Sequence, residues 1–214
     1  MRNLNIKPFV YILVALSGLA WFVIAYFQGL DLSRARDFFR ILPTVISVDL
    51  FLIGIFLKWG WKWPIFKGWL VPFPNLNGTW KGQVISDWTV PATGDRLQPI
   101  PAVLTIKQSF SNLSCVIRTA EMVSHSYAEG FLIEADRQIK SVAYTYTSKP
   151  RILLADRSQA HDGTAVLEII ESPEPKLVGK YWTERKTTGE LQFKFHSKKL
   201  LEQLPADIEH HPVE

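Results

Sequence analysis

FVYILVALSGLAWFVIAYF, residues 9–27, is the stretch on which the architecture turns. No residue from 8 to 30 carries a charge, and a run of about 20 apolar residues is what a helix needs to cross a bilayer. A second stretch, ILPTVISVDLFLIGIFL at 41–57, holds one charge, Asp49, and runs into Lys58, Trp59, Trp61, Lys62 and Trp63. Tryptophan and lysine together form an interfacial anchor, with amphipathic rings at headgroup depth and ammonium groups reaching water. Between the two stretches lies the mixed-charge segment DLSRARDFFR at 31–40, the loop of a helical hairpin. The first uncharged run is longer than a signal-peptide core, and no small-x-small cleavage site follows before Asp31, so a retained span is expected.

Charge sets the expected topology. Arg2, Lys7, Lys58, Lys62 and Lys67 flank the hairpin on one side, against Arg34, Arg36 and Arg40 in the loop. Two crossings leave both ends on one side, and the larger count of bases assigns that side to the cytoplasm. A single cysteine, Cys115, excludes an intramolecular disulfide and suits a reducing compartment. Asp49 is the costly residue of the hairpin, because a carboxylate at mid-bilayer costs about 2.5–3.5 kcal/mol on insertion scales. It has two readings: a helix–helix contact or pore-lining group, or a residue of an offset helix nearer the surface. Gly18 and Gly54 are candidate points of close helix approach.

The basic balance of the chain, net +4, comes from the juxtamembrane bases and a mildly basic remainder. Lys and Arg number eight in residues 1–69, 16 in 70–199 and none in the last 15, against three, 13 and four acids. No basic stripe marks a site for polymeric nucleic acid. The expected division is a two-helix hairpin with its Trp/Lys/Pro-rich connector at 1–69, a soluble domain at 70–199, and an acidic tail at 200–214.

Beyond Pro72, Pro74, Asn75, Asn77 and Gly78 the pattern is strand after strand. TWKGQVI (79–85) alternates Trp80, Gly82 and Val84 against Thr79, Lys81 and Gln83. Further β-rich runs are AVLTIKQSF (102–110), LSCVIRTA (113–120), SYAEGFLIEA (126–135), SVAYTYT (141–147), AVLEIIE (165–171), KLVGKYWTE (176–184) and GELQFKFH (189–196). Ser111-Asn112, Asp162-Gly163, Pro173-Glu174-Pro175 and Thr188-Gly189 read as the turns between them. Eight short antiparallel strands close into a barrel with room for one small ligand; a sandwich is the alternative. The fold expected is therefore membrane-anchored all-β, a transmembrane hairpin followed by an eight-stranded antiparallel β-barrel. Mixed polar and aromatic faces on the fifth and seventh strands point to a wet lumen or mouth. Gly82 and Gly179 suit tight barrel bends or a ligand against the backbone.

No catalytic constellation is legible, and no enzyme activity, metal or cofactor is expected. His125, His161, His196, His210 and His211 lack metal-ligand spacing, and no phosphate loop or nucleophile elbow occurs. Asp156-Arg157 and His161-Asp162 read as solvated loop residues, and Ser114-Cys115 as strand interior.

Two N-terminal apolar helices, a Trp/Pro-rich connector, Asn77-Gly78-Thr79-Trp80-Lys81-Gly82 in the first strand and Gly179-Lys180-Tyr181-Trp182-Thr183 in the seventh form one outline. It resembles the two-transmembrane, β-strand-rich effectors of bacterial CBASS antiphage systems, also called SMODS-associating effectors. Lipocalin- and avidin-like barrels share the Gly-x-Trp opening, and the two-helix prefix separates this outline from them. The resemblance implies a cyclic dinucleotide, made by a partner nucleotidyltransferase, that binds the barrel as activating ligand. It further implies ligand-induced homo-oligomerisation and disruption of the bacterial inner membrane by the helices, with abortive death of the infected cell. Cyclic dinucleotides offer bases that stack on aromatic rings and phosphates that take charge-assisted hydrogen bonds. Strand phase nominates Trp80, Tyr144, Tyr146 and Tyr181 for stacking, Lys107, Arg118 and Arg185 for phosphate, Thr183 as hydroxyl donor, and Asp49 for membrane disruption. A membrane-tethered carrier of an apolar ligand and a scaffold subunit of an envelope complex are the competing readings.

Overall fold

The computed structural model describes residues 6–89, 94–134, 137–152 and 158–205. It divides into a helical unit ending at Pro74 and a β unit beginning at Asn75.

In the helical unit, α1 spans Ile6–Gln28 and α2 spans Ala35–Lys58. Each is long and apolar enough to cross a membrane. Helix α1 ends at Gly29, whose φ of 62° is the left-handed conformation that closes a helix C-terminus. Leu30 N–H then caps the Ala25 carbonyl at 3.0 Å. In α2, Asp37 in the first turn and Lys58 in the last complement the helix dipole. Trp21 stacks on Phe38 with ring centroids 3.8 Å apart, and Ser17 Oγ lies 2.7 Å from Asp49 Oδ2 across the pair. The outward faces stay bare, with Tyr11, Phe22 and Phe51 about 70% exposed, as lipid-facing side chains would be. A Cβ at Gly18 or Gly54 would meet no atom within 4 Å, so neither glycine marks a close helix approach.

The β unit is a closed antiparallel barrel with strands in chain order, as the alternation predicted. Its strands are β1 (Gly78–Ser86), β2 (Ile100–Gln108), β3 (Leu113–Arg118), β4 (Met122–Glu134), β5 (Ile139–Pro150), β6 (His161–Ile170), β7 (Lys176–Thr183) and β8 (Thr188–Ser197). β1 pairs with both β2 and β8, which removes the sheet edge there. Inward residues fill one end of the barrel: Leu104, Ile106, Val142, Leu167 and Leu177 are fully buried and Phe193 is 1% exposed. Each such side chain is worth about 1.5–3 kcal/mol of transfer free energy.

Two turn expectations fail for one reason. Asp162 and Gly163 lie inside β6, paired with Thr147 and Tyr146, and His161 opens the strand opposite Ser148. Gly189 likewise sits in β8, and the turn before it is formed by 184–187. These glycines serve close packing rather than chain reversal. A Cβ on Gly163 would stand 2.6 Å from Tyr146 Oη, and one on Gly189 2.1 Å from the Ile85 carbonyl oxygen. Gly82 and Gly179 are of the same kind, each with a neighbouring carbonyl oxygen 1.9 Å from where a Cβ would be. Asp156 and Arg157 lie outside the described residues. Of the segment read as an acidic tail, 200–205 runs along the barrel wall: Leu201 N–H donates to Thr79 Oγ1 at 3.0 Å, and Leu204 packs with Val103 and Ala120. Residues 206–214, with His210 and His211, lie outside the described residues.

Candidate functional site: a cup at the barrel mouth

The end of the barrel opposite the packed core is open. A cavity of about 250 Å³ opens there, walled by the C-terminal half of β1, the β3–β4 turn, segment 158–161 and the β7–β8 turn. Its floor is apolar, from Val84, Ile100, Ile117 and Leu191. Strand alternation explains the walls: once Tyr144 points inward from β5, Tyr146 and Ser148 follow, and Tyr181, Thr183 and Arg185 keep the same phase on β7 and beyond. Trp88 stands at the rim, 39% exposed.

The polar groups are tethered. Ser124 and Ser148 hydroxyls meet at 2.9 Å, and those of Thr183 and Thr187 at 2.7 Å. Arg185 Nη1 donates to the Gln159 carbonyl at 3.3 Å and lies 3.5 Å from His161 Nδ1, which holds the guanidinium at the mouth. Burial raises the Tyr146 phenol, and the Tyr181 phenol too, where a Ser86 hydrogen bond opposes the shift. Both are therefore neutral hydrogen-bonding groups at pH 7. Among the described residues, the chemistry assembled is the aromatic faces of Tyr146 and Tyr181, a set of hydroxyls, the Arg185 guanidinium and the buried Glu121 carboxylate, 5% exposed.

Of the residues nominated from strand phase, the cup gathers Tyr146, Tyr181, Thr183 and Arg185. Tyr144 sits one step deeper, its ring 6.0 Å from that of Tyr146 and its hydroxyl buried without a hydrogen-bond partner. Trp80 belongs to the packed end, where its Nε1–H donates to the Leu76 carbonyl at 3.0 Å and its ring abuts Phe195 at 5.2 Å. Lys107 is exposed on the outer wall opposite Ser114. Arg118 also faces outward, since its neighbours Ile117 and Thr119 line the cup. Its Nη1 lies 3.4 Å from the Leu201 carbonyl, and burial pulls its guanidinium value down. Sequence reasoning missed Ser86, Trp88, Ser124, Ser148 and Glu121. Continuing the inward phase one step past Val84 and Tyr146 would have reached Ser86 and Ser148; Glu121, in a turn, carried no such signal.

Fold and site define a class: a small antiparallel barrel, plugged at one end, with a polar–aromatic cup at the other. Residues 71–195 match the family model described as Cap15, cyclic dinucleotide receptor domain, and the chain belongs to that family. It is also 23% identical over 186 residues to CD-NTase-associated protein 15 of Staphylococcus schleiferi, covering 85% of this chain and 94% of that protein. The likeness to CBASS effectors read from the sequence is upheld, and with it a cyclic dinucleotide as the ligand class.

Proposed function

We propose that the barrel cup binds a cyclic dinucleotide made by a partner nucleotidyltransferase, and that binding drives self-association and disruption of the inner membrane by α1 and α2. The observation that carries this reading is the cup itself: Tyr146 and Tyr181 supply faces for bases, and Arg185 with Thr183 supplies donors for phosphate. At about 250 Å³ the cup lies at the small end of ligand pockets, about 300–1,000 Å³, so part of the ligand stands at the rim. A second copy can meet the ligand there, which would couple occupancy to assembly. Moving a two-state equilibrium from 1:99 to 99:1 requires about 5.5 kcal/mol of preference for the assembled state, within reach of a stacked, charge-paired ligand. The barrel and both termini then lie in the cytoplasm, where the messenger is made, and the juxtamembrane bases support that orientation.

The test uses the full chain in detergent against a panel of cyclic dinucleotides. Ligand at 100 times its dissociation constant adds about 2.7 kcal/mol, a readily measured rise in melting temperature. The same ligand should raise the oligomer mass and release dye from vesicles carrying the protein. A panel without effect on a folded protein overturns the reading; binding without dye release overturns only its membrane half.

A further inference from the structure

Two serines at the mouth of the cup share one hydrogen bond and hold two protons. Ser124 on β4 and Ser148 on β5 stand directly opposite each other, and the Ser124 hydroxyl donates to Ser148 Oγ at 2.9 Å. Both line the cavity, and Ser148 is 3% exposed. A hydroxyl is one donor with two acceptor sites, so a bond between two of them uses one proton of the pair. Among the described residues, no acceptor takes the Ser148 proton. The Thr183–Thr187 pair differs, because Thr183 Oγ1 also reaches the Thr187 carbonyl at 3.4 Å, an acceptor with which a ligand must compete.

The row of polar groups continues around the wall. Ser148 faces His161 across β5 and β6. Extending the β6–β7 register past Gly163 and Thr183 sets Arg185 beside His161, and Arg185 Nη1 lies 3.5 Å from His161 Nδ1. Ser124, Ser148, His161 and Arg185 therefore stand at one level on neighbouring elements, one step nearer the mouth than the Tyr146 ring in its recess at Gly163. The apolar floor comes from the other half of the barrel, through Val84 on β1, Ile100 on β2, Ile117 on β3 and Leu191 on β8. We propose that Ser148, oriented by Ser124, donates its proton to a phosphate of the bound ligand, and that with Arg185 it makes this side of the cup the phosphate wall; this rests on the reading that the cup takes a cyclic dinucleotide. A hydroxyl in such a wall gains most from an ionised acceptor, since hydrogen bonds to charged groups are the shorter and stronger ones. Ser124 strengthens the donor, because a hydroxyl that accepts one hydrogen bond is polarised toward donating the next. With phosphate on this side, the bases lie over the apolar floor and against the rings of Tyr146 and Tyr181.

The experiment is titration calorimetry of the full chain in detergent with cyclic di-AMP, cyclic di-GMP and cyclic di-UMP, on the native protein, Ser148→Ala and Ser124→Ala. Ser148→Ala should weaken the tightest binder about 10- to 100-fold, the range for losing a hydrogen bond to a charged group. Ser124→Ala leaves the donor in place and should cost no more than about threefold. Ser148→Cys keeps a polar side chain there and should lose as much as Ser148→Ala, because a thiol is a weak donor. Phosphorothioate diastereomers of the same ligand identify the acceptor. One of them should bind the native protein more weakly than its parent, and that penalty should shrink in Ser148→Ala. Native affinity in Ser148→Ala, equal losses in the two alanine variants, or a sulfur penalty undiminished in Ser148→Ala overturns this inference and leaves the cup as receptor. If none of the three ligands binds the folded native protein, the functional reading fails and this inference with it.

Discussion

Tyr146 and Gly163 face each other across β5 and β6 so closely that a Cβ on residue 163 would lie 2.6 Å from the tyrosine Cζ and Oη, and 2.9 Å from the Trp182 carbonyl oxygen. The glycine is a recess for a ring that forms part of the cup wall. Gly163→Ala should therefore cost about 1–3 kcal/mol through overpacking. The ring can swing but the Trp182 carbonyl cannot, so ligand affinity should fall beyond the loss of stability. Thermal unfolding with and without cyclic dinucleotide separates the two; an unchanged melting temperature would show that the barrel absorbs the methyl group.

Arg185 and Lys107 were equal candidates from strand phase, and the barrel separates them. Removing the cup cation with Arg185→Gln should weaken cyclic dinucleotide binding about 10- to 100-fold, the range for a lost hydrogen bond to a charged group. Lys107→Gln, on the outer wall, should leave affinity within twofold. Calorimetric titration of both variants checks this, and equal losses would move the binding surface away from the cup.

Ser17 and Asp49 join α1 to α2 at 2.7 Å, in the span where polar side chains are costly. Asp49→Leu should leave ligand binding intact and weaken killing when the protein is expressed with its nucleotidyltransferase. Growth curves and dye release measure this. Undiminished killing would remove Asp49 from the membrane step and leave it as a packing contact of the hairpin.

Burial raises the phenols of Tyr144, Tyr146 and Tyr181. A group whose folded value lies above its unfolded value contributes stability in full below the unfolded value. That stability is lost as pH rises toward the folded value. The barrel should thus hold constant stability from these groups up to about pH 10, the ordinary phenol value, and lose it above. Tyr144→Phe should lessen the alkaline loss. At neutral pH it should raise stability by about 1 kcal/mol or more, because it deletes a buried hydroxyl without a partner. Denaturant unfolding at neutral pH and above pH 10 tests both parts; a destabilised Tyr144→Phe would mean the hydroxyl is satisfied.

The residues that misled are as instructive as those that did not. Asp162-Gly163 and Thr188-Gly189 have the composition of turns, yet both are strand. Composition reports conformational freedom, whereas these glycines are there because a neighbouring ring or carbonyl fills the space of a side chain. Trp80 and Tyr181 share an inward phase in the sequence, yet one lies in the plugged end and the other in the cup. Alternation assigns a side chain to the inside or outside of a wall; position along the barrel axis depends on register between strands, which one strand does not carry. Arg118 shows the rule working against a nomination, since Cys115 and Ile117, three and one residues before it on β3, already occupy the inward phase.

By itself the sequence determined two helices long enough to span a bilayer, eight strands in order, and the polar–aromatic character of their inner faces. These follow from local periodicity: an unbroken apolar run in one case and a two-residue alternation in the other. Only the tertiary structure decided which end of the barrel is filled and which is open. Closing β1 onto β8 brings Ser86, Tyr146 and Tyr181, from strands far apart in the chain, around the same cavity as Arg185 and Glu121 from two turns. Such a site is a consequence of register and closure, both of which are long-range pairings, and no window of neighbouring residues contains them.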